Sequence, residues 1–446
     1  MNNTQIERNT NHCLSTSAAR WGSLACDDET AWSPVRDLWD IPAGLTYLNH
    51  GGYGYAPHAV IAAKSRHFAE ISANPMGVFC HGLEDRLLPI RDTIADLVGA
   101  GRGDLVLVEN ATNGMNIVAA SIKLKPGDEV LLTEHEYGAV FNIWQRRCQE
   151  SGATLVTADM PWPVESDDQI VDAIENAITE RTRLLVFSQI TSSPAVRLPA
   201  KRICSIARDR GVLTCIDAPH APAVVDLDLD TLGCDFYTAS CHKWLCGPVG
   251  TGFLYVRPEH QALIKPSVVS WGRMKPAKPE GWQDWFTWIG TRDLSGFFSL
   301  PVAIDVLSQI GWDNFRRRSH YLVQAARQRI EELTGMQAMV PKQQTFDSDT
   351  FVPMIAMPIP TPVAAAFDLR ARLHAEHKIE VPVYAIGDQT YLRVSAHAYT
   401  TLDEIERLVG VLRREFAGQR LPRPSRVPFC PTLASAGLQQ PLVATV

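Results

Sequence analysis

The stretch Asp235-Phe236-Tyr237-Thr238-Ala239-Ser240-Cys241-His242-Lys243-Trp244 holds the reading on which the fold turns. Asp235 to Ala239 is short, aromatic and β-branched, and a polar turn follows at once, which predicts a buried strand that delivers a lysine at its end. A lysine placed near the ligand edge of a sheet can have its pKa lowered by burial or by a nearby cation and so act as nucleophile or base. A lone lysine more often reads as solvated surface charge, so Lys243 takes its meaning from its neighbours.

Six more runs of the same kind surround it: Leu105 to Val108, Glu129 to Thr133, Thr154 to Thr157, Arg183 to Ser188, Val212 to Asp217 and Gly252 to Val256. Helical stretches separate them, and this alternation predicts an α/β fold, a mainly parallel seven-stranded sheet with helices on both faces, spanning residues 45–300. Such sheets bind ligands at the carboxyl ends of their strands. From Pro301 the pattern changes to a long helix over Trp312 to Leu333, strands at Met354 to Met357 and Tyr391 to Val394, and an amphipathic helix from Thr401 to Phe416. These predict a smaller C-terminal α+β domain over residues 301–418. Residues 1–44 read as a lead-in segment of irregular structure, and 419–446, with Pro422, Pro424, Pro428 and Pro431, as a loosely ordered tail.

Composition narrows the partners. The chain has 446 residues, 46% apolar and 20% charged, enough for a large core, and its formal net charge of -7 leaves no basic surplus for a nucleic acid or an anionic membrane. No apolar run approaches a transmembrane span, and Met1 to Ser23 lacks the apolar core of a secretory signal. The 10 cysteines include no C-x-x-C pair and no zinc-type spacing with histidine, so a reduced cytoplasmic setting without a metal is expected.

Five groups fall just after predicted strands and converge on one edge of the sheet. The lysine turn is the first. Asp217 ends its strand, where a buried carboxylate needs a partner such as a pyridinium N–H; a helix N-cap is the other role open to it. Glu109-Asn110-Ala111-Thr112-Asn113-Gly114 opens a helix whose free N–H groups at Ala111, Thr112 and Asn113 suit a phosphate, although a plain capped turn has the same composition. His135, in Glu134-His135-Glu136-Tyr137, suits stacking on a flat ring or a hydrogen-bonded place in the core. Gln189 and Ser192 suit a phenolic oxygen or an ordinary turn.

With these residues in view, the chain resembles the fold-type I pyridoxal 5′-phosphate (PLP) enzymes of the class V aminotransferase family, isopenicillin N epimerase-like branch, from about Leu45 to Phe416. The resemblance implies that Lys243 forms the Schiff base with PLP, Asp217 pairs with the pyridine nitrogen and His220 lies near the phenolic oxygen. It implies that Thr112, Asn113, Ser240 and His242 hold the phosphate and that His135 stacks on the ring. It further implies a homodimer in which Thr291, within Gly290-Thr291-Arg292-Asp293, reaches the neighbouring phosphate site. Arg393 would bind the substrate carboxylate, a task suited to a bidentate guanidinium, under a roof formed by Asn49, His50 and Tyr53.

Departures from the family matter for the reaction. Cysteine desulfurases carry a cysteine shortly before the carboxylate arginine, and Ile386 to Leu392 contains none. Gln189 stands where many relatives have histidine, and Pro219 where many have a small residue. The stretch Trp271 to Trp288, with five aromatic residues, reads as a pocket for a bulky amino acid derivative or as packing at a dimer interface. The expected function is C–S bond cleavage in an S-substituted cysteine or related carbanion chemistry in specialised metabolism, such as antibiotic biosynthesis, with an amino acid epimerase or an aminotransferase as alternatives. A binding subunit that has lost activity would have no use for Lys243, Asp217 and Arg393 together, and the chain lacks the G-x-G-x-x-G turn of a dinucleotide-binding oxidoreductase.

Overall fold

A computed structural model describes residues 20–273, 279–342 and 346–417. The seven strands of the large sheet are β1 (Leu105–Val108), β2 (Glu129–Thr133), β3 (Thr154–Ala158), β4 (Thr182–Ser188), β5 (Leu213–Asp217), β6 (Phe236–Ser240) and β7 (Gly252–Val256). Their order across the sheet is β1-β7-β6-β5-β4-β2-β3, and β7 alone runs antiparallel to its neighbours. Every residue of β2, β6 and β7 is buried, which is why these strands read as continuous apolar runs rather than as alternating ones. β6 ends one residue later than its composition predicts, because Ser240 pairs across the ladder with Gly252.

Helix α1 (Ala111–Ser121) follows β1 directly and is capped by Asn110, whose Oδ1 accepts the Asn113 N–H at 2.8 Å. The long helix α2 (Trp312–Thr334) ends at Gly335 in the left-handed conformation, φ 71°, a position that glycine fills without strain. A second, three-stranded antiparallel sheet comprises β8 (Met354–Ile359), β9 (Val383–Ile386) and β10 (Gln389–Ser395), in the order β9-β10-β8. Against it lie α2 and helix α3 (Leu402–Glu415), which opens with a Thr401/Glu404 capping box. Leu322, Ile330, Ile355, Leu392, Leu408 and Leu412 form the apolar centre of this region.

The lead-in departs from its expected irregularity. Glu29–Arg36 is helical despite Pro34, because Asp28 accepts from the Thr30 and Ala31 N–H groups and because Trp32 and Val35 are buried. Residues 1–19 of that segment and the tail 419–446 lie outside the described residues. Further on, Thr46–Tyr47 pairs in parallel with Ile379–Glu380, and Asn49 bridges to Ser395. These contacts carry residues 49–54 across the lysine turn. Among the described residues no helix is long and apolar enough to cross a membrane.

Candidate active site

The carboxyl ends of β1, β2, β4, β5 and β6 bring the five groups together. Lys243 lies three residues past β6. Its amine is enclosed, and burial, followed by the Arg393 charge, lowers its pKa to about 7 against the opposing pull of Asp217. His220, buried after β5, lies with Nε2 3.4 Å from the Lys243 Nζ and with Nδ1 3.1 Å from the Trp244 indole nitrogen. An indole N–H only donates, so Nδ1 must accept and the ring proton sits on Nε2, directed at the lysine. A lysine of lowered pKa can accept that proton in a hydrogen bond, and its lone pair is thereby oriented.

Asp217 is 3% exposed, and burial and then Glu136 raise its pKa to about 7, with Lys243 opposing. At the helix start, Ser240 Oγ accepts the Ala111 N–H at 3.0 Å and Asn110 Oδ1 accepts the Asn113 N–H at 2.8 Å, so β6 and α1 are joined there, and two of the three backbone N–H groups expected to be free for a phosphate are instead bonded within the protein. Gly114 makes that meeting possible. A Cβ there would stand 2.0 Å from Thr238 Oγ1. Gly114→Ala should therefore destabilise the protein by about 1–3 kcal/mol through overpacking, read as a lowered Tm, and Thr238→Ala in the same chain should restore only part of the loss, because the Thr238 Cβ would still stand 2.9 Å away. A single variant that melts with the wild type would contradict this account of the β6–α1 contact.

His135 is braced edge-on against Trp162, with ring centroids 4.3 Å apart, and burial lowers its pKa to about 3, so the ring is neutral. Arg393 is 5% exposed. Its Nη1 donates to the Ser192 carbonyl at 2.8 Å and hydroxyl at 2.9 Å, and its Nη2 donates to Asn49 Oδ1 at 3.1 Å. Among the described residues no carboxylate pairs with it. A buried guanidinium held by neutral groups alone is costly unless a ligand supplies the anion.

Three of the expected residues, His50, Ser192 and Gln189, are held by partners within the protein. His50 is fully buried rather than part of a substrate roof: its Nδ1 lies 2.8 Å from the Tyr399 hydroxyl and its Nε2 3.0 Å from the Lys243 carbonyl. Both nitrogens are thus committed to the protein. Ser192 serves Arg393 rather than a phenolic oxygen, and Gln189 Oε1 accepts from the Tyr237 hydroxyl at 2.6 Å. Tyr53 is half exposed, and Thr291 is exposed on a turn whose Gly290 has φ 108°. In the Trp271 to Trp288 stretch, residues 274–278 lie outside the described ones; Trp282 is tied to the Gly103 carbonyl, whereas Trp271 is 66% exposed.

Among the described residues, His50, Cys246 and His397 are the one trio of metal-type donors lying close together. The two rings are stacked, with centroids 4.1 Å apart at 22°. A shared ion would have to lie in the plane of both rings, so this stack is core packing.

One group was quoted in the sequence without a role. Glu136 turns inward: Oε1 accepts from Thr133 Oγ1 at 2.5 Å and from the Ser188 N–H at 3.0 Å, and Oε2 accepts from Ser188 Oγ at 2.6 Å. Burial raises its pKa to about 7 against those hydrogen bonds. Nothing in Glu134-His135-Glu136 says which acid is enclosed. The available hint is the serine at the end of β4, which needs an acceptor.

The family model for aminotransferase class-V matches residues 46–408. An isopenicillin N epimerase from Amycolatopsis lactamdurans is 34% identical over 397 residues, covering 86% of this chain and 98% of that one. An L-cysteine desulfhydrase from Arabidopsis thaliana is 26% identical, covering 82% of this chain and 86% of the relative. An apo structure of a cysteine desulfurase from Thermococcus onnurineus NA1 superposes with a TM-score of 0.73 at 22% identity, covering 86% of this chain and 98% of that one, a likeness of fold. The donor set itself fits PLP. The amine of Lys243, of lowered pKa, the buried acid of Asp217 and the polar groups where Ser240 meets the start of α1 match the aldehyde, ring nitrogen and phosphate, and the buried, unpartnered His242 Nδ1 leaves a polar atom for a ligand to satisfy.

Proposed function

The chain belongs to the class V aminotransferase family, and on that premise we propose that it holds PLP on Lys243 and removes the α proton of an amino acid substrate. The observation that carries this reading is the buried Arg393 guanidinium without an anion, in a site whose lysine is lowered to a pKa of about 7. When bound, PLP supplies an electron sink for negative charge at the α carbon. Thr112, Asn113, Ser240 and His242, gathered at the start of α1, would hold its phosphate, His135 would pack on the ring, and Asp217 would pair with the ring nitrogen. Arg393 takes the substrate carboxylate in a fork fixed by Ser192 and Asn49, which orients the bond to be broken. Lys243 is the base, with His220 held beside its amine.

Two fates of that charge have support. Loss of a sulfur substituent from Cβ of an S-substituted cysteine needs no group beyond these, since Lys243 returns the proton to the leaving sulfur, and one relative is named for desulfhydrase activity. Epimerisation needs an acid on the second face, for which His135, Tyr137 and Tyr53 are the candidates; burial lowers the His135 pKa to about 3, so its neutral ring is the poorer acid. Tyr53 and Asp217 both bear electrostatically on Tyr137, and the relative at 34% identity is named an epimerase. Persulfide transfer is disfavoured. Ile386 pairs directly with Gln389 across Gly387-Asp388, a two-residue turn with no thiol, and burial pushes the Cys241 thiol up to about 12. A homodimer in a reducing cytoplasm completes the reading, with Thr291 reaching the partner's phosphate site; the eight described cysteines are all unpaired.

Incubation with candidate amino acids in heavy water separates the fates. Deuterium at Cα of a stereochemically scrambled substrate indicates epimerisation, and pyruvate with a free thiol indicates elimination. Carbon dioxide release would contradict both.

A further inference from the structure

Two acids sit at the ring-nitrogen end of the site, whereas pairing with a single pyridinium N–H requires one. Ser188, the last residue of β4, is the strand partner of Asp217, the last residue of β5. Its N–H and hydroxyl are both spent on Glu136, and Thr133 adds a third donor from β2. Glu136 is therefore clamped beside Asp217 through the residue between them, and among the described residues it has no cation partner. A carboxyl that served only as structural filler would need no three-donor cradle next to a second buried acid.

We propose that Glu136 is a positioning residue that acts through Asp217, the two carboxyls sharing about one proton when the ring is absent and yielding it to the ring nitrogen when the ring binds. The proposal rests on the PLP reading above. Atoms balance simply: one proton leaves the carboxyl pair and one N–H bond forms on the ring, with no change of oxidation state. Two adjacent buried carboxylates repel, so the pair retains a proton near neutral pH. A pyridinium supplies the missing cation and lets both ionise.

The other titratable groups bearing on the pair are Cys215 on β5, Tyr237 on β6, Tyr137 beside Glu136 and Lys243 from the β6 turn. Burial keeps the thiol and the phenols neutral. Lys243 bears on Asp217 with the opposite sign, and it is unchanged in the variants below, so its contribution cancels in a comparison.

The test is the number of protons exchanged when PLP binds the full-length, cofactor-free protein. It is measured near pH 7 by calorimetric titration in buffers of different ionisation heat, with the visible absorption band recorded in parallel. In Glu136→Gln the remaining Asp217 loses the Glu136 charge, the second cause of its raised pKa after burial, so a smaller share of the proton is held beforehand and more must come from solvent; this variant should take up more protons per site than the wild type, by at most about one. Thr133→Val removes one donor, makes Glu136 hold its proton harder, and should move the count in the same direction by less. It also covers the case in which Glu136→Gln fails to fold. An unchanged proton count in a folded, PLP-binding variant overturns the proposal while leaving the PLP reading intact. A wild type that binds no PLP overturns both, and the missing absorption band distinguishes that outcome.

Discussion

Lys243→Ala is expected to leave the purified protein colourless and to lower turnover by roughly 10²–10⁴-fold from loss of the general base alone, with the loss of covalent attachment adding to it. The size of the effect follows from how little else can substitute. His220, 3.4 Å from the amine, carries its proton on the side facing the lysine and has its pKa held well below the usual value by burial, so it is a poor replacement base. Lys243→Arg is the sharper control, since it keeps the cation and loses the nucleophile. A pH signature accompanies the loss. The lysine pKa falls from 10.5 in the unfolded reference to about 7 in the fold. Between those values the unfolded chain binds a proton that the native chain does not, so the stability of the cofactor-free protein rises with pH across this window and is lost as pH falls toward 7. Lys243→Ala should flatten that slope. A variant that keeps both colour and slope would show that the amine lies outside the site.

Replacing Arg393 should have the second largest effect. Arg393→Gln removes the buried guanidinium that the site offers a substrate carboxylate. Truncating one member of a buried, hydrogen-bonded charge pair costs about 2–5 kcal/mol, so kcat/KM should fall by tens to thousands of fold, chiefly through KM, while the visible band persists. Arg393→Lys should recover only part of this, because an ammonium cannot reproduce the fork set by Ser192 and Asn49. The unliganded Gln variant should be no less stable than the wild type, since a buried charge without an anion has been removed. Unchanged kcat/KM in Arg393→Gln would contradict the carboxylate assignment. A loss of colour would mean instead that Arg393 serves the cofactor.

The strands were legible because the large sheet is covered on both faces, and β2, β6 and β7, buried throughout, appear as short, largely apolar runs. α2 was legible from its apolar residues at helical spacing. What lay beyond the sequence depends on burial set by distant segments. Glu134 and Glu136 flank the same histidine, yet only Glu136 meets Ser188. His50 and Asn49 are adjacent, yet one disappears behind Lys243 and the other reaches Arg393, because the Asn49–Ser395 bridge fixes which way each points. Ser192 could not be assigned to Arg393 across 201 residues of chain. The Glu29–Arg36 helix was obscured by Pro34 and is maintained by the packing of Trp32.

The central claim, that PLP is held on Lys243, is tested most directly by reducing the purified holoenzyme with borohydride and mapping the modified peptide by mass spectrometry. The account predicts a phosphopyridoxyl group on Lys243 and bleaching of the visible band. Modification of a different lysine, or no modification of a correctly folded protein supplied with PLP, would contradict it.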